Sequence, residues 1–254
     1  MKITNDLYAQ VHLKSEPLAV YNPIMIKMLE KMKKTGLNLW ATIEISNLPR
    51  EITDIFSLQK IPFDQSDTLC LIGNGGGELW NHLPLPIDQT THPFDSFSID
   101  QIKKLDGDAK ILYPHPRWVI PLQKIGRLMN LSRPSHLGLD INDEFGVWFA
   151  YRGAFLTKMK FNCPVKESFE SPCLTCLDRP CIKACPAQAV DTYASFNMSN
   201  CANHRLSKQS DCLDLCQARL VCPYQQKYQY SKEQIQYHMT NIHLHKMLRD
   251  YVGH

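Results

Sequence analysis

Over the first 165 residues, apolar positions alternate between helical spacing and short continuous runs, which predicts helices and strands in turn. Asn22 followed by Pro23 reads as a helix start, a capping side chain and then a residue pre-set to helical φ. Met25, Met28, Leu29 and Met32 form a stripe at helical spacing, expected to pack in the core. Lys33, Lys34 and Gly36 close the element, with cations on its C-terminal dipole and a glycine able to take positive φ. Leu37 to Ile45 and Thr68 to Ile72 read as strands, and a helix is expected through Leu79, Trp80 and Leu83. Ile99 to Leu105 and Pro121 to Met129 suggest further helices, with a strand at Lys110 to Tyr113. Leu137 to Ile141 and Val147 to Leu156 read as two strands paired around the turn from Asp143 to Gly146.

The pattern changes near Cys163. From there to Cys222 the chain holds nine of its ten cysteines, several prolines and few long apolar runs. Helical character returns after Tyr228. Ile235, Met239 and Ile242 mark one face, while Leu244, Leu248 and Tyr251 fall on the other. Either that helix breaks near Asn241 or it is covered on both sides; the second is expected, with the tail packing back onto the first half.

Composition adds little to this picture. With 254 residues, 44% hydrophobic and 21% charged, the chain has material for one large core or a core with a satellite. A net charge of +3 is not the basic stripe of a dedicated nucleic-acid binder. The N-terminus lacks the apolar core of a signal peptide, and no run of about 18 apolar residues predicts a membrane span. A reducing cytoplasm is therefore expected, where dense cysteines signal metal binding or redox chemistry before disulfides.

The strongest chemical signal is Cys173, Cys176, Cys181 and Cys185 followed by Pro186, a C-x2-C-x4-C-x3-C-P spacing. Iron in a cubane needs a soft thiolate at each corner, and a short loop wraps three corners only if its cysteines come every few residues. The fourth, set off by three residues and followed by proline, ligates the other cubane in two-cluster ferredoxins. Cys201, Cys212, Cys216 and Cys222 follow, the last again before a proline, Pro223. Crossed ligation assigns Cys173, Cys176, Cys181 and Cys222 to one [4Fe-4S] cluster, and Cys185, Cys201, Cys212 and Cys216 to another. The first motif alone suffices for one. Zinc also accepts four thiolates, but zinc ribbons pair two C-x2-C knuckles far apart and need no trailing Cys-Pro. Cys70 lies in an apolar strand as a core residue, and Cys163 is expected to be a spectator.

This cysteine order resembles the ferredoxin module of epoxyqueuosine reductases, which combine two cubanes with a cobalamin-binding domain. The segment LGLDINDEFGVWFAYRG, from Leu137 to Gly153, resembles a stretch of the cobalamin-trafficking decyanases of the cblC type. LCLIG from Leu69, HPFD from His92 and YSKEQIQY from Tyr230 are similar to the same family. The resemblance implies an α+β fold, a nitroreductase or flavin-reductase-like sandwich with a ferredoxin-like [4Fe-4S] module inserted late. Residues 1–165 would form the cblC-like domain, completed by a C-terminal helix in 226–254, with 166–225 as the iron–sulfur module. Arg152 would match an arginine lining the decyanases' cofactor and thiol pocket. No counterpart is found of the segment carrying the reductases' catalytic acid, and the Asp-x-His-x-x-Gly cobalamin signature is absent.

Other candidates carry weaker patterns. Phe145, Gly146, Trp148, Tyr151 and Arg152 would wall a planar or corrin ring, with core packing as the alternative. Gly73 to Gly77 offers either a tight turn or backbone amides for an anion, the turn being expected. His92, His115 and His136 lie near turns, while His238, His243 and His245 are expected at the surface or at caps. Arg179 and Lys183 flank the cluster loop, as solvated charge or as a dock for an acidic donor.

Three functions follow as expectations. The first is an iron–sulfur oxidoreductase passing electrons to a cofactor, a corrinoid before a flavin, with a small-molecule or nucleoside-like substrate. The second is a ferredoxin-type electron carrier. The third is a protein that binds and reduces cobalamin for delivery. A flavodoxin or ferredoxin reductase would donate the electrons, and tRNA is the one nucleic acid the resemblance allows.

Overall fold

A computed structural model describes residues 23–84, 87–88, 90–161, 166–191 and 196–253. Asn22 and Cys163, singled out above, lie outside the described residues. The elements run α1 (Pro23–Lys34), β1 (Leu39–Glu44), α2 (Arg50–Leu58), β2 (Thr68–Gly75), α3 (Pro93–Leu105), β3 (Lys110–Tyr113) and α4 (Leu122–Leu128). Short strands β4 (Arg133–Pro134) and β5 (Asp140–Ile141) precede the long β6 (Phe149–Thr157). The cysteine segment supplies α5 (Pro180–Lys183), α6 (Met198–Leu206) and α7 (Gln217–Leu220), and the chain ends with α8 (Lys232–Thr240) and α9 (Ile242–Val252).

Four strands form one antiparallel sheet in the order β1-β2-β6-β3. β2 is buried along its whole length, as its continuous apolar run requires of a central strand. Its side chains alternate between two cores. Leu69 and Leu71 join Ile52 and Phe56 of α2 and Ile125 of α4, whereas Cys70 and Ile72 join Met32 of α1, Phe94 and Ile102 of α3 and Tyr237 of α8. The fold is therefore mixed α+β, a sheet covered by helices on both faces. Among the described residues, no helix is long and apolar enough to cross a membrane.

Three local expectations need correction. The expected hairpin around Asp143 to Gly146 closes only at the Asn142–Gly146 bridge; β5 pairs with β4, and β6 pairs with β2 and β3. The central position won because β6 is buried on both faces and needs two long partners. The tail helix breaks at Asn241, whose side chain accepts from the His243 and Leu244 amides and starts α9 afresh. Leu79 and Trp80 sit in a single 3-10 turn, Glu78–His82, rather than a longer helix. Gly36 does take the positive φ its position required, at 83°.

Candidate metal centre

Most thiols of the cysteine segment sit on short turns and helix ends, and Cys201 lies within α6. The Ser171 hydroxyl receives the Cys173 amide and donates to the Pro134 carbonyl at 2.9 Å, tying the first turn to the sheet domain. Arg179 adopts the left-handed region at φ 41° just before Pro180, which swings the chain into α5 and carries Cys181 with it. The Cys185 sulfur accepts from the Ala189 amide at 3.3 Å. Cys216 occupies the N-cap of α7, and α7 packs on α5. The eight cysteines of the segment are free thiols.

The eight thiols of the segment feel one another in two groups. Burial pushes the Cys181 thiol up to about 11, and Cys173, Cys222 and Cys176 push the same way. Burial also raises Cys222, again with Cys173 and Cys176 beside it. Cys201 is likewise raised to about 11, first by burial, against Arg205 and with Cys216, Cys185 and Cys212 adding to it. Cys212 and Cys216 are raised by burial and both feel Cys185. The fours are Cys173, Cys176, Cys181, Cys222 and Cys185, Cys201, Cys212, Cys216. Among the described residues, no three His, Cys, Asp or Glu side chains are placed to hold a single metal ion.

Two guanidinium groups enter this region. Arg205 is 8% exposed, donates through Nη2 to the Met239 carbonyl at 2.6 Å, and leaves its Nε buried without a protein partner. Burial lowers its pKa, and the charges opposing that are Cys201, Cys216 and Cys212. Arg219 donates to the Val147 carbonyl at 2.6 Å and lies over the Trp148 and Tyr230 rings at 4.5 and 5.1 Å, again with Nε buried and unpartnered. It pulls against the raised pKa values of Cys216 and Cys222. Neither arginine stood out in the sequence.

The second predicted group does not share one wall. A register shift opposite Ile72 and Gly73 leaves Arg152 as the extra residue of a bulge in β6. Tyr151 points to α4, its hydroxyl 2.7 Å from that of Ser132, while Arg152, the next residue of the strand, points to α3 as strand alternation requires. Arg152 Nε donates to Asn74 at 2.6 Å and its guanidinium lies 4.1 Å from the Phe94 ring centre, with Asp95, Tyr113, Tyr230 and Tyr237 around it. Phe145 fills the space over Gly75 and meets the Tyr228 ring at 4.8 Å. Gly146, at φ 60°, lets the Tyr224 carbonyl approach to where a Cβ would stand at 2.6 Å. Trp148 is buried beneath Arg219.

Gly73 to Gly75 belong to β2 and pack against Ala150 and Phe145, so close approach explains this run better than anion binding. His238 is not a surface residue. It lies against Phe94, Tyr230 and Tyr237, and burial, followed by the charges of Arg152 and Arg219, pushes its pKa down to about 3. His243 stacks on His92 at 4.1 Å and His245 meets the Met239 carbonyl at 3.0 Å.

No protein-family profile and no curated protein matches the chain in sequence. Its fold is similar to that of solved epoxyqueuosine reductases. The enzyme from Streptococcus thermophilus aligns with a TM-score of 0.50 at 14% identity, over 82% of this chain and 68% of the other. An epoxyqueuosine reductase solved with a tRNA-Tyr stem loop aligns at 0.53 and 12% identity, over 84% and 68%. The B12-trafficking protein CblC of C. elegans gives 0.46 at 12% identity, over 91% and 98%. The likeness to the reductases is one of fold.

Proposed function

We propose that this chain is an iron–sulfur redox protein that relays electrons through two [4Fe-4S] clusters. Cys173, Cys176, Cys181 and Cys222 would hold one, and Cys185, Cys201, Cys212 and Cys216 the other. The observation that carries this reading is Arg205, a buried guanidinium whose electrostatic partners are three of those thiols. A buried cation needs nearby negative charge. Neutral thiols do not supply it; thiolates bound to iron and sulfide do. The unpartnered Nε of Arg205 is then a donor for an anionic, sulfur-rich group. A cubane gives each thiolate its own iron, so its ligands stand wider apart than those of one ion, which agrees with thiols that feel one another without a single-ion arrangement.

When bound, such clusters supply one-electron transfer at potentials set by their surroundings. The chain's own residues orient the thiolates and exclude water. The first four has an exposed apolar loop. Leu174 and Leu177, on the loop of the first, are 71% and 94% exposed. With Arg179 and Lys183 beside them they suit an acidic electron donor of the flavodoxin or ferredoxin-reductase kind. Thiols of both fours, Cys173, Cys181 and Cys222 with Cys185 and Cys216, pack against the apolar cluster around Trp148, and Cys216 lines a cavity beside it. On this reading residues 166–225 are the cluster module, and the domain of 1–165, completed by 226–254, is what receives the electrons. Phe145, Trp148, Tyr151 and Arg152 point different ways and do not fit one face of a corrin or flavin, so no step is derived through either.

Anaerobic reconstitution with iron and sulfide tests the proposal. The protein should turn brown and bind both elements, and Cys181→Ser or Cys201→Ser should each lower bound iron to about half, one cluster of two. Colourless protein carrying zinc or disulfides on these cysteines would sink it. Cobalamin added to the same preparation should keep its free spectrum; a perturbed spectrum would make a bound corrinoid the acceptor.

A further inference from the structure

A cavity of about 20 Å³ lies where the cysteine module meets α8, lined by Trp148, Cys216, Arg219, Tyr230, Ile235 and His238. That is the room one water needs. Four of these side chains carry a buried polar atom that no protein group satisfies: Trp148 Nε1, Arg219 Nε, Tyr230 Oη and His238 Nε2. They are neighbours. The Trp148 and Tyr230 rings stand 5.5 Å apart, Arg219 lies over both, and the His238 ring is 6.0 Å from that of Tyr230. A buried donor left unpaired costs about 1–3 kcal/mol, so several together strongly favour a shared guest.

The chemistry of the lining selects that guest. The indole and guanidinium nitrogens only donate, and a phenol donates readily, so the guest must accept. The lining also offers two acceptors, the sulfur of Cys216 and the ring nitrogen of a neutral His238, so the guest must donate as well. A small anion meets only the first demand, and a thiolate at Cys216 repels it. Water meets both.

We propose that this cavity is a binding site for one water molecule that links Tyr230 and His238 to the sulfur of Cys216, making those two side chains positioning residues for the second cluster. The inference rests on the two-cluster reading. A hydrogen bond donated to a ligating sulfur stabilises the reduced, more negative cluster and raises its potential. Holding the water in place is thus how Tyr230 and His238 would act on electron flow without touching the cluster.

The test uses the anaerobically reconstituted full chain and three variants: Tyr230→Phe and His238→Leu, which remove the water's partners, and Ile235→Phe, which fills the cavity and leaves them in place. Iron and sulfide are measured first, then the midpoint potential of each cluster by electron paramagnetic resonance, then the coupling of exchangeable deuterons after transfer to heavy water. The variants should keep wild-type iron, lower one midpoint, leave the other unmoved, and weaken one deuteron coupling. Full iron content with both midpoints unmoved overturns the proposal. Iron-free wild type instead sinks the two-cluster reading and is seen before any variant is made. Crystals of wild type grown in bromide decide the guest in either case. Ordered water between Tyr230 and His238 supports the site, and anomalous bromide density there overturns it.

Discussion

Arg219 of α7 lies over Trp148, 4.5 Å from its ring centre, and donates to the carbonyl of the residue before it, Val147, at 2.6 Å. One side chain therefore fastens the cysteine module to the end of the sheet. The stacking contributes about 0.5–2 kcal/mol and the charged hydrogen bond about 1.5–3. Arg219→Met should lower stability by roughly 2–5 kcal/mol in anaerobic denaturant unfolding, from these two contributions. Arg219→Lys should recover little, because an ammonium cannot stack and donate from a planar fork at once.

The same junction depends on a glycine. A Cβ at Gly75 would stand 2.1 Å from the Phe145 ring, and Phe145 in turn packs on Tyr228. Gly75→Ala forces that ring aside and should cost about 1–3 kcal/mol, the range for overpacking. Combining it with Phe145→Leu should return part of the loss. Additive losses in the double variant would show that the two positions do not meet.

These junction residues mark the limit of what the chain discloses by pattern. Periodicity announced α1, β1, β2 and β3, since each buries one face or two at a regular spacing. It misassigned the segment from Leu137 to Leu156 because a buried strand and a hairpin arm look alike until their partners are known. α2 went unnoticed between Arg50 and Leu58, where only Ile52 and Phe56 are buried. Cysteine spacing singled out the eight thiols proposed as ligands, because ligands on short loops would recur closely. Arg205 and Arg219 gave no signal, and His238 was expected at the surface. Each matters through residues distant in sequence, and a lone arginine or histidine has no spacing to read. Arg152 is a different case, since strand alternation alone turns it away from Tyr151 and the expected shared wall overlooked that.

Tyr151 belongs to a buried network. Its hydroxyl meets Ser132 at 2.7 Å, Ser132 donates to Asp140 at 2.6 Å, and Arg127 Nε donates to Asp140 at 2.9 Å. Ser132→Ala leaves the phenol and the carboxylate each one partner short and should cost about 1–3 kcal/mol. Burial, ahead of the Asp140 charge, raises the Tyr151 pKa well above the ordinary value, while Ser132 opposes it. The folded state therefore keeps its proton after the unfolded chain has lost it. Stability should fall as pH rises above about 10, the unfolded tyrosine pKa. Tyr151→Phe should flatten that alkaline limb, as read by unfolding across a pH series.

His238 gives the mirror-image dependence on the acid side. Its folded pKa is pushed down to about 3, by burial first and then by Arg152 and Arg219. Above the unfolded value of about 6.5 both states are neutral and the residue contributes no slope. Below it the unfolded chain takes a proton that the folded chain refuses, so stability should drop by up to about 1.4 kcal/mol per pH unit until the folded pKa is reached. His238→Gln removes the proton site while keeping a polar group of similar reach. The difference in unfolding free energy between wild type and variant should widen steadily from about pH 6.5 downward. Acid effects on the cysteine centre are common to both proteins and cancel in that difference. Parallel curves would mean that His238 is reached by solvent, and the packing of Phe94, Tyr230 and Tyr237 around it would have to be looser than the structure has it.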